Sequence, residues 1–331
     1  MQTTRLGTSD LEVSRIALGT MTFGWEASRE ESFAILDAYA EAGGNFVDTA
    51  DVYSDGASEE IIGEWLAGRS RDEVILATKG RFPVGGKPAS LSKRYLDGAL
   101  DASLRRLGVD HVDLYQAHAA DGEHPLSEFA EFLEGAQRSG KVRYGGVSNF
   151  TAAALVELDQ ATRELGIPPV VSLQPQYSLI VRDIELEVLP TARLLGMGSV
   201  AWGPLAAGWL TGKYARDVAP PEGSRLGDDP ERGAEAWSKR GTDRTWSILE
   251  VLQHAAAESG QSQAVVALAW LLDRPGLTSA IVGARTVDQL AQTVGASDAE
   301  VAPELLAALT AVSEPDLPSY YAIMRQDLQR H

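Results

Sequence analysis

An acid, a phenol, an amine and an imidazole stand within one stretch of this chain, as Asp48, Tyr53, Lys79 and His118. A free tyrosine titrates near pH ~10 and is a poor acid at neutral pH. A lysine ammonium beside it favours the phenolate and lowers that pKa. A carboxylate beside the lysine keeps the ammonium charged and oriented. A histidine donor can then hold a carbonyl oxygen between itself and the phenol. Such a set polarises a C=O bond and delivers a proton to the oxygen as an alkoxide forms. It lacks a reductant, because no side chain donates a hydride. Taken singly, each residue has a plainer role: Asp48 as a turn or N-cap acid, Tyr53 as a loop aromatic, Lys79 as a solvated strand end. The four gain weight only if the fold brings them to one place.

The elements that must position them are legible as an alternation. Short apolar runs at 16–19, 45–48, 74–78, 112–115, 142–147, 170–173, 199–202 and 280–282 read as strands. Helical patterns fall between and after them at 30–42, 58–66, 90–107, 127–139, 152–165, 185–195, 245–258, 263–272 and 287–294. Leu96, Leu100, Leu104 and Leu107 mark one helix face, and Gly43-Gly44 is a helix stop. Strands separated by helices pair in parallel with right-handed crossovers. The first turn lacks the G-x-G-x-x-G of a doubly wound dinucleotide fold. About eight units without a break predict an α/β fold closed as a (β/α)8 TIM barrel. Chemistry in such a barrel sits past the C-terminal ends of the strands. Asp48 and Tyr53 follow the second strand, Lys79 the third and His118 the fourth, so all four can face one mouth. Three segments lie outside the repeat: a β-hairpin at 1–15, a Gly-, Pro- and charge-rich loop at 214–240, and a tail at 313–331. The loop follows the seventh strand and reads as a mobile lid or substrate loop.

The 331 residues are 44% hydrophobic and 23% charged, the balance of a globular protein with a sizeable core. We read them as a single barrel domain spanning 1–331. The net charge of −18 repels nucleic-acid phosphates and an anionic membrane, though a few local Arg and Lys can still bind a small anion in a cleft. There is no Cys, so disulfides and thiol chemistry are excluded. The N-terminus carries no apolar signal stretch and the longest apolar run, 264–272, is too short to span a bilayer, so the expected location is cytoplasmic. His118, Asp121, Glu123 and His124 fit no metal-ligand spacing, and no metal is expected. Asn149-Phe150-Thr151 spells a glycosylation sequon, but Thr151 reads better as a helix N-cap. Gly208 to Lys213 is one residue short of a P-loop.

The motifs Leu18-Gly19-Thr20-Met21, Asp48-Thr49-Ala50-Asp51-Val52-Tyr53, Ala77-Thr78-Lys79, Asp113-Leu114-Tyr115-Gln116-Ala117-His118, Gly146-Val147-Ser148-Asn149-Phe150 and Gly283-Ala284-Arg285-Thr286 carry a resemblance. In order and spacing the chain resembles the aldo-keto reductase family, in the bacterial branch that includes potassium-channel β subunits. The resemblance implies Tyr53 as general acid, tuned by Lys79 and Asp48, with His118 orienting the carbonyl. It implies NADPH, with NADH as a possible substitute, bound across the barrel mouth. Gly19, Thr20, Met21 and Asp48 would border the cofactor. Ser148, Asn149 and Gln174 would bond the nicotinamide amide, and Trp202 would stack on its ring. Gly203, Pro204, Leu205, Ala206, Gly208 and Lys213 would follow the pyrophosphate. Gly283, Arg285, Gln289, Gln292 and Thr293 would hold the adenosine end, Arg285 at the 2′-phosphate, with a helix dipole at Thr286. Gln292 and Thr293 depart from the usual Glu and Asn, Gly203 from the usual Ser, and His118-Ala119-Ala120-Asp121 from the usual His-x-Pro-Asp. A small-molecule carbonyl substrate would be walled by Phe23, Trp25, Phe82, Tyr53, His118 and the 214–240 loop, near Tyr320 and Tyr321.

The leading expectation is therefore an NADPH-dependent oxidoreductase reducing an aldehyde or ketone to an alcohol. The alternative is an NADPH-binding regulatory, redox-sensing module like the channel β subunits. A barrel isomerase or aldolase with a Schiff base on Lys79 is a third reading, opposed by the charge that Asp48 would keep on the lysine.

Overall fold

The computed structural model describes residues 1–328 apart from Lys87 and Arg232. Residues 329–331 of the expected tail and Arg232 of the expected loop lie outside the described residues. Two short strands, β1 (Thr3–Arg5) and β2 (Glu12–Ser14), pair antiparallel. Eight parallel strands then close a barrel: β3 (Ile16–Gly19), β4 (Phe46–Asp48), β5 (Ile75–Gly80), β6 (Val112–Ala117), β7 (Val142–Ser148), β8 (Ser172–Gln174), β9 (Gly198–Ala201) and β10 (Leu277–Gly283). They follow one another in chain order round the barrel, and β10 closes it against β3 through Gly283 opposite Gly19.

Side chains alternate across a strand, and this decides what reaches the mouth. Ala17, Phe46, Ala77, Leu114, Val200 and Ile281 pack together inside the barrel, while Ile16, Leu18, Val47 and Leu76 join the outer core under the helices. Counting on by two from the inward residues arrives at Asp48, Lys79, Gln116 and Trp202. Leu6, Leu11 and Val13 of the hairpin share the inner cluster, and the turn at Gly7 lies against Val171 and Gly198. The hairpin thus plugs the N-terminal end of the barrel and leaves the C-terminal end for chemistry.

Helices cover the outside. Lys93–Leu107 buries Leu96, Leu100, Leu104 and Leu107, each such burial contributing roughly 1.5–3 kcal/mol. Ser28 forms a capping box with Glu31, Ser92 caps Lys93–Leu107, and Thr151 caps Ala152–Leu165. The segment read as an aperiodic loop carries short helical turns at Arg225–Asp228, Gly233–Glu235 and Trp237–Arg240. Turns this short complete no second 3.6-residue period, so the pattern is invisible in sequence. The tail carries a helix, Ser319–Leu328, and the Tyr321 hydroxyl donates to Glu187 at 2.7 Å, tying it to the segment after β8. Among the described residues no helix is long and apolar enough to cross a membrane.

Candidate active site

Asp48 ends β4 and Lys79 lies next to the end of β5, one strand over, both pointing inward. The Lys79 ammonium donates to Asp48 Oδ2 at 2.6 Å, to the Thr49 carbonyl at 2.9 Å and to the Tyr53 hydroxyl at 3.2 Å. Lysine has three N–H donors, so all are used. Lys79 is fully buried, and Tyr53 remains partly exposed at the mouth. Tyr53 is aimed by its loop: Ser54 and Asp55 have φ of 51° and 53°, the Ser54 hydroxyl donates to the Phe23 carbonyl, and Asp55 accepts the Gly85 amide. The His118 ring stands edge-on to the Tyr53 ring, with centroids 5.9 Å apart. The four residues proposed from sequence are therefore together.

The electrostatics differ from expectation at one point. Burial pushes the Tyr53 phenol above its ordinary value of 10, and the field and hydrogen bond of Lys79 offset this only in part. The phenol is thus protonated throughout the neutral range. Burial opposes the Lys79 charge, but Asp48 and Tyr53 outweigh it and raise the ammonium above 10.5. Burial, helped by the charges of Lys79 and Arg81, pushes His118 down to about 2. His118 is therefore a neutral imidazole, able to donate a hydrogen bond through one nitrogen.

A second group of residues is wired to the first. Gln174 Nε2 donates to Asp48 Oδ1 at 2.7 Å, and the Ser148 hydroxyl donates to the Gln174 carbonyl at 2.8 Å. Asn149, at φ 56°, donates from Nδ2 to the Ser148 hydroxyl and the His118 carbonyl and accepts from Trp202 Nε1 at 3.0 Å. Beyond β9 the backbone winds left-handed at Gly203, Ala206, Ala207 and Gly208, a run that also holds Pro204 and Leu205. A Cβ on Gly208, at φ 94°, would sit 2.3 Å from Lys213 Cε, so glycine lets the lysine fold back across the loop. Partial burial together with Arg285 and Arg225 lowers the Lys213 pKa, so three cations lie close together. Arg285 Nη2 reaches the Gly223 carbonyl at 3.2 Å, and its Nε lies 3.8 Å from Glu26. The 214–240 segment therefore packs on the β9–β10 side. Stacking of Trp237 on Trp209 at 4.7 Å and the Gln176–Glu235 hydrogen bond hold it there.

The other expected site residues have varied settings. Phe23 is sealed in the core with no exposed surface, whereas Trp25 is 60% exposed and Phe82 meets His118 edge-on at 4.7 Å. Thr20 is buried and spends its hydroxyl and amide on the Asp48 carbonyl, while Met21 is partly exposed. Thr293 is buried, its hydroxyl donating to the Leu290 carbonyl. Gln289 accepts the Arg285 amide, and Gln292 is exposed. The helix after Thr286 runs only over Val287–Ala291, too short for the dipole contribution the sequence suggested. Asp121 and His124, whose side chains meet at 2.9 Å, are a clamp within their own loop.

Sequence reasoning missed three features. Gln116 Nε2 donates to Asp48 at 3.3 Å; strand alternation two residues before His118 was the available signal. Behind Lys79 lies a buried set: Thr78 donates to Glu59 at 2.5 Å, Arg106 pairs with Glu59 at 2.6 Å, and burial and Glu59 push Asp51 up to about 7. Arg81 was the third.

Fold and mouth together define a class, the (β/α)8 barrel proteins with acid–base side chains gathered at the C-terminal rim. The chain belongs to the aldo/keto reductase family, whose model matches residues 15–314. It is 39% identical to the uncharacterized oxidoreductase YrpG of Bacillus subtilis, over 92% of this chain and 94% of that protein. It is 34% identical to a probable voltage-gated potassium channel subunit beta of rice, Oryza sativa subsp. japonica, over 90% and 92% of the two chains. It is 33% identical to the L-glyceraldehyde 3-phosphate reductase of Escherichia coli K12, over 89% and 87%.

Proposed function

We propose that the protein is a cytoplasmic, NADPH-dependent reductase of aldehydes or ketones, with Tyr53 as proton donor. One observation carries this: the Lys79 ammonium bridges Asp48 and the Tyr53 hydroxyl at the mouth, beside a neutral His118. The cations Lys213, Arg225 and Arg285, crowded together in a chain of net charge −18, fit a phosphorylated cofactor. Ser148, Asn149 and Gln174 would hold its carboxamide, Trp202 its ring, and Lys213 and Arg285 its phosphates. When bound, the dihydronicotinamide supplies the hydride that becomes the new C–H bond of the alcohol. His118 donates to the carbonyl oxygen and fixes it against the phenol. Tyr53 passes its proton to that oxygen as negative charge grows there. Lys79 stabilises the phenolate left behind, and Asp48 keeps Lys79 charged.

The test is NADPH absorbance followed against a panel of aldehydes and ketones, with NADH in parallel. Turnover of at least one compound on the order of one per second supports a metabolic enzyme. The similarity to channel beta subunits favours a second reading, a cofactor-binding redox sensor, and turnover far slower on every compound would select it. Schiff-base chemistry at Lys79 is opposed by its three hydrogen bonds and raised pKa. Borohydride trapping of Lys79 by substrate without nicotinamide would reinstate that reading.

A further inference from the structure

Arg81 is the first residue beyond β5, two past Lys79. Its φ is 137°, a conformation strained for a residue with a Cβ. The guanidinium carbon lies 4.8 Å from the centre of the Phe82 ring, and that ring in turn meets the His118 imidazole. Contacts therefore run unbroken from Arg81 through Phe82 to the group that would orient a carbonyl. Arg81 Nε is buried without a hydrogen-bond partner, and among the described residues no carboxylate forms an ion pair with this side chain. Carboxylates that bind the adjoining loop are engaged elsewhere. Asp55 accepts the Gly85 amide, and Asp121 accepts the Leu91, Glu123 and His124 amides. Arg81 also stands apart in the fold from Lys213, Arg225 and Arg285, which follow β9 and β10. It is a second positive feature of the mouth, on the β5–β6 side.

An unpaired guanidinium held by an aromatic face and a strained backbone is pre-aligned for a planar or tetrahedral anion, which it can take with two parallel N–H donors. Low-dielectric walls strengthen that local charge, which acts against the overall field of a chain of net charge −18. We propose that Arg81 is an anion-binding residue of the substrate pocket and that the preferred carbonyl substrates carry a carboxylate or phosphate a few bonds from the C=O group. This deepens the reductase reading and rests on it.

The test compares kcat/KM with NADPH for two matched pairs: 4-oxobutanoate against its methyl ester, and 2-oxoethyl phosphate against glycolaldehyde. The wild type should favour the anionic member in at least one pair by about 10-fold or more, and the pair that responds separates carboxylate from phosphate. Arg81→Gly removes the charge and relieves the backbone strain, so it should fold. The anionic preference should drop about 10- to 100-fold, the worth of one charge-assisted hydrogen bond. Arg81→Lys should retain part of it. No anionic preference in either pair, or a preference undiminished in Arg81→Gly, overturns the proposal. Reduction of other neutral carbonyls with neither anionic compound turned over also overturns it, and leaves the reductase reading standing. Failure of every carbonyl compound to consume NADPH overturns the reductase reading and this proposal with it.

Discussion

The Lys79 ammonium divides its donors among Asp48, Thr49 and Tyr53, so neither its charge nor its position is free to vary. Its charge reaches His118 as well, where it joins burial in keeping the imidazole neutral. The signs of these shifts give a pH profile. In the proposed reduction the donor would be the protonated phenol, and its pKa lies above 10. His118 titrates far below neutrality, at about 2. The rate of the chemical step in reduction should therefore show no inflection from His118 near pH ~6.5, where an unperturbed histidine titrates, whereas Asp51 at about 7 reaches Tyr53 through its field. It should fall only in strongly alkaline solution as Tyr53 ionises. Rates at saturating cofactor from pH 5 to 10, with NMR of the His118 ring, check this. An imidazolium signal appearing near pH 6 would contradict it.

At the scale of elements, β5 and β6 set the rim, and their contact has little tolerance. A Cβ on Gly80 would lie 2.2 Å from the Tyr115 hydroxyl, which itself has no hydrogen-bond partner. Gly80→Ala should cost about 1–3 kcal/mol by overpacking and displace Lys79. Adding Tyr115→Phe, which removes the obstructing oxygen, should restore much of it, as a double-mutant denaturation cycle would show. Next to this contact Asp51 titrates at about 7 instead of 3.8, because of burial first and Glu59 second. Its folded pKa is raised, so the stability it contributes is present below pH 4 and lost as pH rises to about 7. Asp51→Asn should match wild type in acid and gain on it across that window, by on the order of 4 kcal/mol at the plateau. Melting curves at pH 4, 5.5 and 8 measure the difference, and a constant offset would refute it. Little of this was legible in the sequence. The alternation of strands with helices and the barrel rule placed Asp48, Tyr53, Lys79 and His118. The strand read at 74–78 in fact runs over Ile75–Gly80, because Lys79 and Gly80 pair with β6 although neither is apolar. Glu59 and Arg106 meet from two helices far apart in the chain, a contact no local pattern encodes. Phe23 read as a pocket wall because an apolar loop residue looks the same whether it lines a pocket or fills the core. The positive φ of Arg81 leaves no mark in a non-glycine residue.

The whole molecule joins a plugged barrel floor, a rim carrying Asp48, Tyr53, Lys79 and His118, and a cluster of cations in a chain of net charge −18. Lys213 and Arg285 come from loops after different strands, and Arg285 donates to the Gly223 carbonyl of the segment that begins one residue past Lys213. On the proposed reading, selectivity for a phosphorylated cofactor would be a property of that assembly. Arg285→Ala should weaken NADPH about 10-fold or more and NADH far less, read as Kd by fluorescence titration. Equal losses for both would remove Arg285 from the 2′-phosphate. The central claim concerns the proton, and one comparison reaches it directly: Tyr53→Phe assayed for NADPH affinity and for kcat on the best carbonyl substrate of the wild type. The account predicts an unchanged Kd with kcat lowered about 10²- to 10⁴-fold, the range of general acid catalysis. A variant that binds NADPH normally and reduces that substrate at the wild-type rate would contradict it.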